Sequence, residues 1–252
     1  MGTGGKDRIA RRIGLLVPSS NTTVEPEFYR ALPQHITVHI ARLHLTQITP
    51  DAILRMVDDL EAQSRNLASA DVDVIVLGAT APSFLKGLGY DREVSQRITA
   101  CTGKPATTTS TALIEALRHL GLKRVVLGAA YDDRVNAIAS AFLEANGFTV
   151  LAAHGLGMAD NLEVGRLGDD SAWELGSRID RPEADGVVLA CTNWKTMNAI
   201  ERLEASLGKP VVSTTQASVW AALRMLGEEQ GVPGYGRLLR SIGAYAGNKQ
   251  FA

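Results

Sequence analysis

The chain has 252 residues, 45% of them hydrophobic and 21% charged, with a formal net charge of −1. This composition is typical of a globular protein with one large or two smaller hydrophobic cores. The near-neutral charge provides no basic surface for nucleic acid or for an anionic membrane. No apolar run approaches the roughly 20 residues of a transmembrane helix, and the N-terminal segment lacks the apolar centre of a signal peptide. We therefore expect a cytoplasmic protein that binds neither nucleic acid nor membrane.

Apolar runs that resemble strands alternate with helical segments along the chain. Runs of Val, Ile and Leu between helices are typical of parallel sheets that are covered on both faces. A helix is predicted to start at Thr49-Pro50-Asp51, and another to span Asp132–Ala145 before Asn146-Gly147. The predicted strands are Ile13–Val17, Thr37–Leu43, Val72–Leu77, Val125–Ala129, Phe148–Ala153, Gly186–Ala190 and Val211–Ser213.

The sequence contains an internal repeat with a period above one hundred residues. Ala79 and Cys191 occupy matching positions of one repeated strand and loop, and Gly103–Thr109 is echoed by Gly208–Thr214. Because this period is too long for a solenoid unit, the repeat predicts a duplicated α/β domain with the active site between the halves. We expect an N-terminal domain formed by residues 1–115 and 218–252, and a second domain formed by residues 116–217.

Ligands of parallel α/β sheets bind beyond the carboxyl ends of the strands. The loops at these ends begin at Pro18, Gly78, Ala130 and Cys191. In the first loop, Ser19, Asn21 and the backbone N–H groups near a helix start suit a carboxylate or another small anion. The same residues could instead form an N-capping loop, and the sequence alone does not decide. The loop lacks the glycines of a nucleotide-binding motif.

Cys191 follows one strand and precedes a helix that is predicted from Trp194 to Leu207. The positive end of that helix would stabilise the thiolate and make the thiol a competent acid or base near neutral pH. The following amides could hold an oxyanion. The alternative is an inert buried cysteine. For Cys101 we expect no function, because no other catalytic signal lies near it.

The loop after Gly78 should face the Cys191 loop across the cleft. Thr80 and nearby N–H groups can donate hydrogen bonds to a carboxylate, while Ala79 can do no acid–base chemistry. Tyr131 ends the strand that corresponds to the one before Ser19, so its phenol either points into the cleft or packs in the core. The five histidines lack the spacing of metal ligands, and we expect no metal site.

These loops together resemble the aspartate/glutamate racemase superfamily, and most closely its branch of maleate cis-trans isomerases and arylmalonate decarboxylases. The resemblance runs from Ile13 to about Gly227. It is carried by Pro18–Thr22, Gly78–Phe84, Ala130–Asp133 and Leu189–Asn193. It implies two similar Rossmann-like α/β domains with parallel sheets, a pseudo-twofold axis, a cleft between them and no cofactor. It further implies a small carboxylate or dicarboxylate substrate, and it leaves the oligomeric state, a homo-oligomer included, open.

Racemases and isomerases of this superfamily use two facing cysteines, and here Ala79 replaces the first of them. Arylmalonate decarboxylases also keep only the second cysteine, opposite a small residue. The resemblance of this chain to the decarboxylases implies that Leu45 and Ile48 line an apolar pocket. It also places Ala81 at a position where the decarboxylase has a serine. Asn21 and Asn161 instead resemble the carboxylate-binding asparagines of the isomerases.

We predict a cofactor-independent decarboxylase of an arylmalonate-like dicarboxylic acid, in which Cys191 protonates an enediolate intermediate. Thr80, Tyr131 and backbone N–H groups around Ala81 and Thr192 would hold the oxyanion. The other residues expected to bind substrate are Pro18, Ser19, Asn21, Leu45, Ile48, Ala79 and Asn161. One alternative is an isomerase or racemase that uses Cys191 alone, and another is a non-catalytic carboxylate-binding protein.

Overall fold

A computed structural model describes residues 11–243, in which two four-stranded sheets carry the fold. The strands are β1 (Arg11–Pro18), β2 (Ile36–Leu43), β3 (Val74–Leu77), β4 (Ala106–Thr108), β5 (Arg124–Tyr131), β6 (Thr149–Met158), β7 (Gly186–Ala190) and β8 (Val211–Ser213). The first sheet has the order β2-β1-β3-β4 and the second has the order β6-β5-β7-β8, with parallel pairing throughout both. Each position of one sheet has its counterpart in the other, and the predicted fold class is therefore confirmed.

The helices connect these strands and pack against both sheets. They are α1 (Val24–Ala31), α2 (Pro50–Met56), α3 (Leu60–Ala68), α4 (Ala81–Phe84), α5 (Tyr90–Thr102), α6 (Thr109–His119), α7 (Asp133–Ala145), α8 (Asn161–Arg166), α9 (Ser171–Ile179), α10 (Met197–Leu207), α11 (Thr214–Met225) and α12 (Gly236–Arg240), and a 3₁₀ turn at Val57–Asp59 follows α2. None of the helices within residues 11–243 is long and apolar enough to cross a membrane.

Local sequence signals account for much of this architecture. Every residue of β3 and β7 is buried, as expected for apolar strands that are covered on both faces. Thr49 caps α2, because its hydroxyl accepts a hydrogen bond from the Ala52 N–H ahead of the first turn. Ser213 and Gln216 form a reciprocal capping box at the start of α11. The buried hydrophobic residues of both halves form one continuous core.

Three elements differ most from the sequence predictions, while β1, β2, β3 and β5 differ from their predicted ends by one or two residues. The short strand β4 was not predicted, because its Ala-Thr-Thr sequence carries no apolar run. β6 continues to Met158 instead of ending at Ala153. α10 begins at Met197 and not at Trp194, because the chain first forms a turn in which the Trp194 N–H donates to the Cys191 carbonyl at 3.1 Å. The predicted domain boundaries stay a prediction, and residues 1–10 and 244–252 lie outside the described part of the chain.

A buried carboxylate joins the two halves. Glu27 on α1 is 1% exposed, and its Oε1 accepts hydrogen bonds from the backbone N–H groups of Thr196 at 3.1 Å and Met197 at 3.2 Å. Burial raises the pKa of Glu27 from 4.5 to about 7, although these N–H groups and nearby Arg30 act in the opposite direction. The charged carboxylate therefore lowers the free energy of unfolding at neutral and higher pH.

Stability should depend on pH through Glu27. Because the pKa is higher in the folded state, the contribution of Glu27 to the free energy of unfolding should be greatest below about pH 4.5 and fall as the pH rises to about 7. We expect Glu27→Gln to be more stable than the parent near pH 8, by up to about 3 kcal/mol, and close to it near pH 5. Urea denaturation at both pH values measures the difference. A difference between the two proteins that does not change with pH would contradict the shift.

Candidate active site

The carboxyl ends of strands from both sheets surround one pocket. Its lining residues are Pro18, Asn21, Leu45, Ile48, Ile53, Ala79, Thr80, Ala81, Pro82, Tyr131, Asn161, Cys191, Thr192 and Asn193. The list includes every predicted site residue except Ser19. The cavity has a volume of about 30 Å³, which is room for about one or two water molecules. None of these described lining residues is Lys, Arg or His, so the pocket presents neutral polar groups and apolar side chains.

Ser19 supports the wall of the pocket instead of lining it. Its hydroxyl donates to the Leu45 carbonyl at 3.2 Å and accepts from the Leu45 N–H at 3.0 Å. Ser20 also donates to this carbonyl. The segment that follows Leu45 reaches the second half, where the Ile48 N–H donates to the Ala159 carbonyl at 3.0 Å. These bonds hold Leu45 and Ile48 at the pocket, and no local pattern in the sequence indicated that Ser19 would act through the backbone.

Cys191 is buried at the centre of the pocket, 4% exposed. Burial raises the pKa of its thiol to about 11, although the N–H groups of Asn193 and Trp194 and the phenol of Tyr131 act in the opposite direction. The expectation of a stabilised thiolate is therefore wrong. α10 starts six residues after Cys191, and the loss of hydration outweighs the local amides. At neutral pH the thiol keeps its proton, which suits a proton donor better than a nucleophile.

Tyr131 and Thr80 are the polar neighbours of this thiol. Tyr131 is 3% exposed and lines the pocket. Its side chain is therefore packed in the core and also reaches the cleft, so the two predicted alternatives are not exclusive. Burial, and next the nearby Cys191, raise the pKa of Tyr131 well above its usual value. The Thr80 hydroxyl lies close to the phenol but outside hydrogen-bond geometry, and within the described residues it has no partner. A buried hydroxyl in this state is a donor that lacks an acceptor.

The two asparagines that were predicted from the resemblance are held in fixed orientations. Asn21 Oδ1 accepts from the N–H groups of Thr23 and Val24 at 2.9 and 3.0 Å, and Nδ2 donates to the Thr192 hydroxyl at 3.2 Å. The loop therefore caps a helix and also lines the pocket. Asn161 Nδ2 donates to the Ser20 hydroxyl at 2.8 Å. Each amide keeps a second N–H that these bonds do not use.

Asn193, which was quoted in the sequence motif but not predicted as a site residue, joins the loops of both halves. Its Oδ1 accepts from the Thr22 N–H at 2.8 Å, its Nδ2 donates to the Asn161 carbonyl at 2.5 Å, and its own carbonyl accepts from the Thr23 hydroxyl at 2.8 Å. Ile53 and Pro82 were also missed. Their apolar side chains line the pocket from α2 and α4. The pattern around Ile53 indicated only a helix, and Pro82 was quoted only within the loop Gly78–Phe84 that carries the resemblance.

The backbone of Cys191 is strained. Its φ is 137°, a region that favours glycine, and its N–H donates to the Thr214 hydroxyl at 3.2 Å. Ala79, the repeat counterpart of Cys191, is not among the described residues with positive φ. The counterpart of Thr214 is Thr109, whose hydroxyl donates instead to the Leu77 carbonyl at 2.9 Å. Because only one half adopts it, the strain is not a requirement of the duplicated fold, and such strain is concentrated at functional sites in proteins.

The strain should be measurable in the stability of glycine variants. Glycine adopts φ near 137° without a steric penalty, so we expect Cys191→Gly to be more stable than Cys191→Ala by about 1 kcal/mol. Ala79→Gly is the matched control at an unstrained position, where glycine should destabilise by about 0.5–1 kcal/mol. Chemical denaturation gives both values. If Cys191→Gly were less stable than Cys191→Ala, the backbone strain would not be present in solution.

Comparison with known proteins assigns the family. A family profile described as arylmalonate decarboxylase matches residues 13–239. The arylmalonate decarboxylase of Bordetella bronchiseptica is 32% identical over 229 residues, which cover 90% of this chain and 95% of that protein. The maleate isomerase of Pseudomonas putida is 32% identical over 247 residues, which cover 93% of this chain and 98% of that protein.

Solved structures agree with this assignment. A cysteine variant of the maleate cis-trans isomerase of Nocardia farcinica, with a covalently bound succinylcysteine intermediate, matches with a TM-score of 0.88 at 30% identity. The match covers 92% of this chain and 98% of that one. Decarboxylases and isomerases are equally similar in sequence, so similarity establishes the family and leaves the reaction undecided. The chain belongs to the arylmalonate decarboxylase and maleate isomerase family of enzymes, a branch of the aspartate/glutamate racemase superfamily.

Proposed function

We propose that the protein is a cofactor-independent decarboxylase of a malonate-type dicarboxylic acid. The observation that carries the proposal is one protonated thiol, Cys191, in a pocket where the matching position of the other half is Ala79. Decarboxylation needs no base, because loss of carbon dioxide itself leaves the electron pair on the substrate. It needs a stabilised enediolate and one proton donor. The pocket provides a single thiol for that second task.

The carboxylate that stays on the substrate would bind at Thr80 and Tyr131. The unpartnered Thr80 hydroxyl and the protonated phenol are both donors, and backbone N–H groups around Ala81 and Thr192 add to them. As the carbon–carbon bond breaks, its electron pair moves into the enediolate and charge on these oxygens grows. Each well-placed donor contributes about 3 kcal/mol to stabilising that charge. Cys191 then gives its proton to the α-carbon, and solvent later returns a proton to the thiolate.

The carboxylate that leaves would lie against the apolar side chains of Leu45, Ile48, Ile53 and Pro82. An ionised carboxylate loses hydration there, whereas the neutral carbon dioxide that it becomes does not. This wall therefore favours the product of bond cleavage over the bound substrate. The absence of a cationic side chain among the described lining residues supports the same conclusion, because no ion pair holds the leaving carboxylate in its charged form.

A maleate isomerase is the second candidate, and Asn21 and Asn161 favour it. Both line the pocket with a spare N–H, as carboxylate-binding amides would. Against it stands the chemistry of addition to maleate, which in the Nocardia farcinica relative yields a succinylcysteine intermediate. Addition needs a thiolate, and Cys191 holds its proton while Ala79 offers no thiol. The third candidate, a carboxylate-binding protein without activity, would keep its affinity after loss of Cys191.

The first test uses phenylmalonate and maleate in separate incubations in deuterated water, followed by proton NMR. A decarboxylase releases singly deuterated phenylacetate, and an isomerase converts maleate to fumarate. Cys191→Ala should lower kcat by a factor of about 10² to 10⁴, because it removes the proton donor. Cys101→Ala is the matched control at the other thiol, on α5, and should leave kcat unchanged. Full decarboxylation by Cys191→Ala would exclude the proposed mechanism.

Loss of the Thr80 hydroxyl tests the oxyanion site separately. Thr80→Val keeps the shape of the side chain and removes the donor, so kcat for decarboxylation should fall by a factor of about 10² to 10³. Thr80→Ser restores the hydroxyl and should recover most of the activity. Steady-state kinetics with phenylmalonate distinguishes the two variants. Equal activity of the valine and serine variants would show that the hydroxyl does not contact the developing charge.

A further inference from the structure

The segment that carries the thiol is held from the opposite half of the protein. Between Cys191 and the start of α10, Asn193 is bonded to Thr22 and Thr23, and the N–H groups of Thr196 and Met197 are bonded to Glu27. Glu27 therefore holds the C-terminal end of the seven-residue segment 191–197, whose first residue, Cys191, is the candidate proton donor. The amides close to Cys191, those of Asn193 and Trp194, lie within this segment, and the Trp194 N–H donates to the Cys191 carbonyl at 3.1 Å.

Holding this segment with Glu27 requires an unfavourable burial of a carboxylate. It is buried, its Oε2 has no hydrogen-bond partner among the described residues, and burial raises its pKa to about 7. The hydroxyls of Thr196 and Thr215 are also buried without hydrogen-bond partners among the described residues, and the Thr215 hydroxyl lies close to the Glu27 carboxylate but outside hydrogen-bond geometry. Because burial raises its pKa, the ionised carboxylate does not stabilise the fold. What it does provide is a charged acceptor at the N-terminus of α10, where charge-assisted bonds are stronger than neutral ones.

We propose that Glu27 is a positioning residue that sets the Cys191 thiol against the substrate from the opposite half of the protein. Its catalytic part rests on the proposed function, since Cys191 must be the proton donor. Glu27 does not line the pocket. It acts through the backbone of Thr196 and Met197, and thereby on Asn193 and on Trp194, whose N–H donates to the Cys191 carbonyl.

Glu204 offers a matched control within the same chain. It is likewise buried, at 5% exposure, its pKa is likewise raised by burial, and its oxygens likewise accept from backbone N–H groups, those of Val211 at 3.1 Å and Arg237 at 2.8 Å. These bonds join α10 to β8 and to the C-terminal helix α12, away from the pocket. Replacing Glu204 therefore removes a similar buried acceptor without touching the segment that carries Cys191.

The experiment uses a prochiral disubstituted malonate, 2-methyl-2-phenylmalonate, whose product is chiral. We compare Glu27→Leu, Glu27→Gln and Glu204→Leu, and measure kcat, KM and the enantiomeric excess of the product. Glu27→Leu should lower kcat by about tenfold or more with KM within about twofold, because the proton donor is displaced while the carboxylate site is kept. Enantiomeric excess should fall as water competes for the carbanion. Glu27→Gln, which keeps the acceptor, should stay within about threefold of the parent in kcat.

Glu204→Leu should lower the melting temperature and leave both kcat and enantiomeric excess unchanged. A folded Glu27→Leu with the parent's kcat and enantiomeric excess would overturn the proposal. So would a Glu204→Leu variant that loses both to the same extent, because the effect would then be one of stability. If Glu27→Leu does not fold, Glu27→Asp replaces it, since the shorter carboxylate cannot reach both N–H groups, and the same readouts apply.

Amide hydrogen exchange tests the structural half of the inference without any substrate. In the parent, the N–H groups of Thr196 and Met197 should be protected, and Glu27→Leu should raise their exchange rates, with those of Asn193 and Trp194, by about tenfold or more. Glu204→Leu should leave all four unchanged. Unchanged exchange in Glu27→Leu would refute the positioning role. If the parent decarboxylates no malonate, the proposed function fails, while the exchange result still decides whether Glu27 orders the segment.

Discussion

Burial of the Cys191 thiol between the two halves is the constraint on which the candidate site depends. In the absence of water the thiolate is unfavourable, so the sulfur keeps its proton at neutral pH. Burial affects Tyr131 in the same way, and no cationic side chain among the described lining residues compensates for a charge. The pocket is therefore built from neutral donors, and it suits a reaction that develops negative charge on oxygen and ends with proton transfer to carbon.

The two halves of the duplicated fold have the same sheets and helix caps, but they differ at the candidate active site. Both sheets have the same strand order, and Thr108 and Ser213 cap the equivalent helices α6 and α11. At the ends of β3 and β7 the halves diverge, because Cys191 has a strained backbone and Ala79 does not. The strained Cys191 also donates a hydrogen bond from its N–H to the Thr214 hydroxyl at 3.2 Å.

The sequence predicted the features that local patterns determine. The buried strands, the cap at Thr49 and the loops at the strand ends all follow from short segments, and the repeat placed Ala79 opposite Cys191. It failed where contacts join distant parts of the chain. The pKa of Cys191 depends on burial by both halves, and Asn193 acts on Thr22, 171 positions away. The role of Glu27 could not be predicted for the same reason, because no residue near it in the sequence indicates that it accepts hydrogen bonds from the start of α10.

The small cavity has a consequence for the kinetics of substrate entry. A space of about 30 Å³ is smaller than a dicarboxylic acid, so in this conformation the pocket lacks room for the whole substrate, and Leu45 and Ile48 belong to the wall that limits it. That wall is attached to the first half through Ser19 and to the second through Ala159. Where such a wall must open before binding, the association rate constant equals the value for the open pocket multiplied by the fraction of time that the pocket is open.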